Sequence, residues 1–415
     1  MRVAVVSATD ITGGAGRASY RIHHALLQAG VASTMHVTRA SAGDWTVEGP
    51  RGYVPQALVW VRHAAGAALA KVLRTENPVL HSPAVLPSAW PGRLTADACE
   101  VVNLHWVNAE MMSVEDIGRI RKPVVWTLHD MWAFCGAEHY TTDGRWRGGY
   151  SAANRPAFEG GLDLNRWVWR RKGRAWRRPF QIVTPSQWLA DCVRDSALMR
   201  DWPVTVIPNA IDTDTWQPVD SALARTLLGL PQGVPIALFG AIGGARDPRK
   251  GFDLLKGALK ALAGQIPDLV LAVFGQLAPR EDPELGFPVR FLGHLHDDVS
   301  LRLLYSAADL LVIPSRQDNL PNTGVEALAC GTPVVAFDAC GLPSLVTHER
   351  TGFLAKAYDP EDMAAGIEWV LARRSSPEGA ALRAAARQDA LDRFSPRVVA
   401  AQYQAVFQQA MARHG

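Results

Sequence analysis

Asp318 and Glu326 stand eight positions apart within Ser315–Phe337, SRQDNLPNTGVEALACGTPVVAF, on either side of a predicted helix start. The apolar run Asp309-Leu-Leu-Val-Ile313 before them reads as a buried strand. After the loop come a helix of about two turns, stopped by Gly331, and a second strand from Thr332 to Phe337. A loop that leaves the carboxyl end of a strand and feeds a helix is where open α/β sheets bind ligands. The free N–H groups and dipole of a helix start favour anions, and carboxylates beside it suit hydroxyls. A nucleotide-sugar offers both kinds of group. A local reading competes: Thr323-Gly-Val-Glu326 matches a capping box, in which the glutamate only satisfies backbone donors.

A second loop, Phe239-Gly-Ala-Ile-Gly-Gly-Ala-Arg-Asp-Pro-Arg-Lys-Gly251, follows another predicted strand. Its glycines allow close backbone approach, and Arg246, Arg249 and Lys250 offer charge to a diphosphate. A third, Asp10-Ile-Thr-Gly13-Gly14-Ala-Gly16-Arg17, resembles a dinucleotide fingerprint but reads G-x-G-x-x-S, and no acidic residue closes the second strand. It is taken as a glycine loop at a ligand crevice, not as a nicotinamide site. His105 and His129 each close a predicted strand. His129, with Asp130 beside it, reads as functional, while His105 stands open between a core role and a site role.

The elements that must position these residues alternate strand and helix. Strands are expected at 2–7, 33–38, 101–105, 123–128 and 181–184, and again near 235–239, 269–274, 289–292, 310–313 and 332–337. Helices fall at 15–29, 251–263, 297–307, 359–373 and 395–411. That alternation implies two separate parallel sheets. A length of 415 residues asks for two domains, and the Asn/Asp-rich stretch Ile207–Trp216 is the expected join. Twelve of the 14 tryptophans precede it, so the halves differ in character.

A net charge of +3 gives no argument for nucleic acid, and five cysteines without metal-like spacing fit reduced thiols in a cytosol. The apolar run Val54–Leu73 is interrupted by Arg62, His63 and Lys71, so no membrane span is expected. Asp212-Thr-Asp214 has the D-x-D form of a metal site but lies in the join, where such residues cap turns, and no metal is expected there. The run Arg166–Arg178, RWVWRRKGRAWRR, places seven basic residues around three tryptophans. It suits an anionic membrane surface or a polyanionic acceptor as well as it suits a solvated face with its tryptophans turned inward.

Together with Val183-Thr-Pro-Ser-Gln-Trp188, Val206-Ile-Pro-Asn209, Asp247-Pro-Arg-Lys-Gly251 and Phe291-Leu-Gly293, these residues resemble the retaining glycosyltransferases of family 4. The similarity is greatest to the branch found in bacterial capsule and exopolysaccharide assembly. The resemblance implies the GT-B fold, two Rossmann-like domains facing across a cleft: residues 1–206 on the acceptor side, 207–393 binding the nucleotide-sugar, and a helix from 394 to 415 crossing back. It implies that Glu326 holds the ribose hydroxyls, that Asp318 lies near the donor sugar, and that backbone N–H groups at Asn322 and Thr323 face the diphosphate. Lys250 corresponds to the family's phosphate-binding lysine, the Phe291–His294 stretch borders the base, and His129 contacts the transferred sugar. The Gly13-Gly14 loop would close on donor or acceptor phosphates.

The chain departs from the family pattern at three places. Asp318 is shorter than the usual glutamate, Ala241 replaces an arginine and leaves Arg249 or Arg246 to supply charge, and Ser344 replaces the glutamate of G-x-P-E. The function implied is transfer of a hexose from UDP- or GDP-hexose, with retained anomeric configuration, to a glycan or lipid-linked oligosaccharide. Neither metal nor cofactor is expected, and the place of action is the cytoplasm, at the inner face of the plasma membrane. A nucleotide-sugar epimerase or a non-catalytic nucleotide-sugar-binding partner protein on the same architecture are the alternatives.

Overall fold

The computed structural model describes residues 1–240, 247–278, 284–295 and 297–414, so Arg246 and Ala241 lie outside the described residues. The chain divides into two compact units, Met1–Pro208 with Val399–Gly415, and Asn209–Val398.

Among the described residues the first unit carries β1 (Arg2–Thr9), β2 (Ala32–Arg39), β3 (Val47–Glu48), β4 (Leu73–Arg74), β5 (Val101–Leu104), β6 (Val124–Thr127), β7 (Gly160–Gly161), β8 (Gln181–Thr184) and β9 (Val204–Val206). Seven of them form a parallel sheet in the order β3-β2-β1-β5-β6-β8-β9, while β4 and β7 pair antiparallel apart from it. β5, β6 and β8 are buried along their whole length, as parallel strands covered on both faces are. The order runs outward in both directions from β1 and β5, which makes their carboxyl ends a switch point. The Gly13-Gly14 loop follows β1, and His105 follows β5.

The second unit repeats the plan with β10 (Ile236–Gly240), β11 (Val270–Phe274), β12 (Val289–Phe291), β13 (Leu310–Ile313), β14 (Val334–Phe337) and β15 (Gly352–Ala355). These pair in parallel in the order β12-β11-β10-β13-β14-β15. Here the switch point lies between β10 and β13. The loop after the first leads to Lys250 and the loop after the second carries Asp318, so topology alone sets the two side by side.

The helix Pro396–His414 returns to the first unit. Tyr403 is fully buried with its hydroxyl 3.0 Å from Thr127 Oγ1, and Arg413 donates to Gln181 Oε1 at 2.6 Å. The basic-aromatic run forms the helix Leu164–Ala175 and a short extension, with Arg170, Arg174, Arg177 and Arg178 exposed. Lys172 is fully buried, donating to the carbonyls of Trp132, Cys135 and Gly136, and Trp176 is buried with Nε1 on Val114 O at 2.8 Å. Trp167 stays exposed. The apolar run of the first unit becomes the helix Tyr53–Ala70, and among the described residues no helix is long and apolar enough to cross a membrane.

Candidate functional site

In the second unit a 3₁₀ turn, Pro248–Lys250, is started by Asp247, whose carboxylate accepts the Arg249 N–H at 3.1 Å. Gly251 ends the turn at φ 64, with its Cα so close to Pro314 O that a Cβ would lie 1.9 Å from that oxygen. This contact requires glycine, and it fixes Lys250 against the loop after β13. Lys250 Nζ donates to Asp318 Oδ2 at 2.7 Å. Ser315 Oγ shares that oxygen at 3.3 Å, while Asp318 Oδ1 accepts from Asn319 N at 3.1 Å. Arg249 points elsewhere: its guanidinium is held by Asp247 through Nε at 3.1 Å and Nη2 at 2.7 Å.

The helix Asn322–Ala329 begins after Pro321, which occupies the N-cap position without a side-chain cap. Thr323 is therefore the second helical residue and Glu326 lies in the second turn, so the capping box does not form. Glu326 is instead 3% exposed, and its Oε2 accepts from the Tyr305 hydroxyl at 2.9 Å. Asn322 and Thr323 sit in the first turn, where backbone N–H groups lack acceptors within the helix. Asn209, from the Val-Ile-Pro-Asn stretch, pins this start by donating to Leu320 O at 3.2 Å and Asn322 Oδ1 at 3.1 Å. His294 is exposed after β12, beside Gly293.

Arg316, Tyr305 and Asn209 are the residues that sequence reasoning passes over or leaves without a role. Arg316 forks onto Asp253 at 2.6 and 2.5 Å and donates to Pro248 O at 3.1 Å, locking the carboxylate loop to the lysine turn. That hydrogen bond holds the Asp253 carboxyl below its usual range. The only sequence signal is an arginine two residues into the loop, which has many possible partners.

The first unit brings His105 and His129 together at the carboxyl ends of β5 and β6. His129 Nε2 lies 3.0 Å from His105 Nδ1, and His105 Nε2 lies 3.0 Å from Asn103 Oδ1. Asn103 Nδ2 donates to Val125 O and Thr127 Oγ1, both at 3.1 Å, which turns its oxygen toward His105. The proton of His105 therefore sits on Nε2, its Nδ1 accepts, and His129 donates from Nε2. Burial pushes His129 down to about 4 despite the upward pull of Asp130, and burial followed by His129 holds His105 well below its ordinary value. Both rings are neutral at pH 7.

Asp130 does not hydrogen-bond the His129 ring. Its Oδ2 accepts from His139 Nδ1 at 2.6 Å and Trp106 Nε1 at 3.1 Å. Burial alone would raise this carboxyl, and the charge and hydrogen bond of His139 outweigh it and hold it low. Gly13 and Gly14 open the helix Gly13–Gln28, with Gly13 at φ 75. In the join, Asp212 accepts from Asp214 N at 3.0 Å and Thr215 Oγ1 at 2.7 Å, the turn-capping role expected of it.

Residues 12–215 match a family model described as Glycosyltransferase Family 4, and residues 237–373 match one described as Glycosyl transferases group 1. The D-inositol 3-phosphate glycosyltransferase of Geodermatophilus obscurus is 35% identical over 185 residues, 41% of this chain and 40% of that protein. Its counterpart in Mycobacterium sp. (strain JLS) is 37% identical over 183 residues, again 41% and 40%. The chain thus spans about two fifths of the length of these curated relatives. Among solved structures, a sucrose-phosphate synthase from Thermosynechococcus elongatus is similar with a TM-score of 0.66 at 20% identity, over 99% of each chain. Anabaena Alr3699/HepE, solved with UDP and glucose, gives 0.64 at 19% identity over 99% of this chain and 100% of that one. At these identities the likeness to solved structures is one of fold.

Proposed function

The chain belongs to the family 4 glycosyltransferases of GT-B fold, and from that premise we propose that it moves a hexose from a nucleotide-diphosphate sugar to a lipid-linked cell-surface glycan, with retention of anomeric configuration. The observation that carries this reading is the Lys250–Asp318 pair at 2.7 Å, set at a switch point beside a helix start and the buried Glu326. Lys250 and the first-turn N–H groups of Asn322 and Thr323 stabilise the departing diphosphate, Glu326 takes the ribose hydroxyls, and Asp318 lies against the sugar. His129 receives the transferred sugar's hydroxyls, and the leaving phosphate assists attack on the same face. The complex of the Anabaena protein with UDP and glucose supports a uridine nucleotide as donor.

The acceptor has a second reading. The curated relatives are named for inositol 3-phosphate, which favours a small phosphorylated polyol, with the helix start at Gly13 facing its phosphate. Action is placed on the cytoplasmic side, at the inner face of the membrane.

A thermal-shift series with UDP, GDP and their sugar conjugates, with and without EDTA, tests the donor half. Stabilisation by one nucleotide family, unaffected by EDTA, is expected, and no shift with any of them would remove the reading's main support. Product analysis with the stabilising donor tests the rest. Transfer only when a lipid-linked glycan or a phosphorylated polyol is added is expected. A changed sugar without acceptor would mean an epimerase, and unaltered donor with both acceptors would mean a binding protein.

A further inference from the structure

The helix Tyr53–Ala70 reverses the usual rule of burial. Its sequence, YVPQALVWVRHAAGAALA, is apolar on nearly every side, yet Gly66 is its one buried residue. An apolar helix in a globular protein normally lies inside. Here Tyr53 is 92% exposed, Trp60 64% and Val61 63%, and Trp45, in the segment before it, is 92% exposed. The helix is held by polar means. Arg62 donates to the carbonyls of Glu110, Pro87 and Leu86 at 2.9, 2.8 and 2.7 Å, and Gly66 packs on the Glu110 side chain. The apolar surface is thus fixed in place and left uncovered, and exposed apolar patches of this extent mark interaction sites.

The chemistry around it selects the partner. Trp45, Tyr53 and Trp60 join an apolar ring to a polar edge, the side-chain type that settles at the boundary of water and hydrocarbon. Arg39 and Arg51 before the helix and Lys71 and Arg74 after it are exposed, and Arg39 lies 5.0 Å from the centroid of the Trp60 ring. Glu48, the exposed carboxylate between Arg39 and Arg74, sits 3.4 Å from His36, and Asp44 is bound to His24 and Tyr20. A groove of about 1040 Å³ beside the helix is lined by Arg51, Arg93, Leu58 and Trp90 among others. Just past the helix Val72 and Leu162 are also exposed, and the Leu162 N–H donates to Val72 O at 3.2 Å. Apolar, aromatic and cationic groups in this combination complement an anionic lipid surface.

We propose that the helix Tyr53–Ala70 lies flat in the headgroup layer of an anionic phospholipid membrane and anchors the protein there. The inference goes beyond the transferase reading and does not rest on it. It adds this helix, as a surface for membrane contact, to the Arg166–Arg178 run, whose Lys172 and Trp176 are buried while Arg170, Arg174, Arg177 and Arg178 are exposed.

The test is sedimentation of the full chain with phosphatidylcholine vesicles, with and without phosphatidylglycerol as a minor component. Wild type is expected to sediment with the anionic vesicles and to be released by high salt. Leu58→Ser with Trp60→Ser should lower partitioning at least about tenfold, with the thermal melt unchanged because both residues are exposed. Charge reversal at Arg174, Arg177 and Arg178 should leave it intact. The proposal is overturned if wild type stays in the supernatant, if the serine pair binds as well as wild type, or if only the charge-reversed variant is lost. It is equally overturned by a dimer in light scattering that the serine pair dissolves while vesicles bind neither form, since a second copy would then be the occupant.

Discussion

Glu326 is buried and already bonded to Tyr305, so its two replacements separate charge from structure. Glu326→Ala removes one charged acceptor, a loss of roughly 1.5–3 kcal/mol, or about ten- to a hundredfold in affinity. Calorimetric titration with the donor should register that loss, whereas Tyr305→Phe, which keeps the carboxylate, should cost less binding. Equal affinity in Glu326→Ala would assign the carboxylate to structure alone. His105 makes a parallel case, because it positions His129. His105→Phe removes the acceptor for His129 Nε2–H and frees the ring to take either tautomer, so kcat should fall and the acid limb of the pH profile should move. His105→Asn offers an amide oxygen in place of Nδ1 and should restore most of the loss. Identical profiles in wild type and both variants would make His105 a core residue. The residue types at these places were legible: a lysine before a glycine, carboxylates around a helix start, histidines closing strands. Their partners were not. Tyr305 to Glu326, Arg316 to Asp253 and Asn209 to Asn322 are joined across 21, 63 and 113 positions, and such pairs come from packing, which local pattern does not encode.

Among elements, the glycine between the lysine turn and its helix is the most exacting position. Gly251→Ala must relieve both a left-handed φ of 64 and a Cβ 1.9 Å from Pro314 O. The turn should shift, separating Lys250 from Asp318. Donor binding should weaken together with the melting temperature, and unchanged values of both would mean that the turn adapts freely. The buried parallel strands were legible because their apolar runs are nearly continuous, and the end of the helix Asn322–Ala329 was legible in Gly331, which takes φ 69. β9 and β15 escaped notice because they have three and four residues between turn residues. The helix Pro377–Phe394 escaped because alanine and arginine give it little apolar periodicity. The capping box failed by two positions, since Pro321 starts the helix before Thr323 can cap it.

At the scale of the molecule the two units should respond differently to acid. His23 and His129 are pushed down to about 4 by burial, and His105 lies well below its ordinary 6.5. All three belong to the first unit, while the described histidines of the second, His294 and His348, are exposed. A lowered histidine leaves the unfolded state to take the proton first. Its contribution is full above pH 6.5 and is lost as pH falls toward 4, at roughly 3 kcal/mol for a shift of that size. Tryptophan fluorescence reads the first unit, which holds 12 of the 14 tryptophans. Its melting midpoint should drop between pH 6.5 and 4, ahead of the transition that nucleotide stabilises. Coincident loss of both would contradict this account.

The first unit is made of two separate lengths of chain, with the second unit written between them. During synthesis the strands of its sheet emerge first, but Thr127 and Gln181 wait for Tyr403 and Arg413, which leave the ribosome 276 and 232 residues later. At about 5–20 residues per second, the delay from Thr127 to Tyr403 is on the order of tens of seconds. For that interval the nascent sheet lacks its final covering helix, and a chaperone has a defined surface and a defined time in which to hold it.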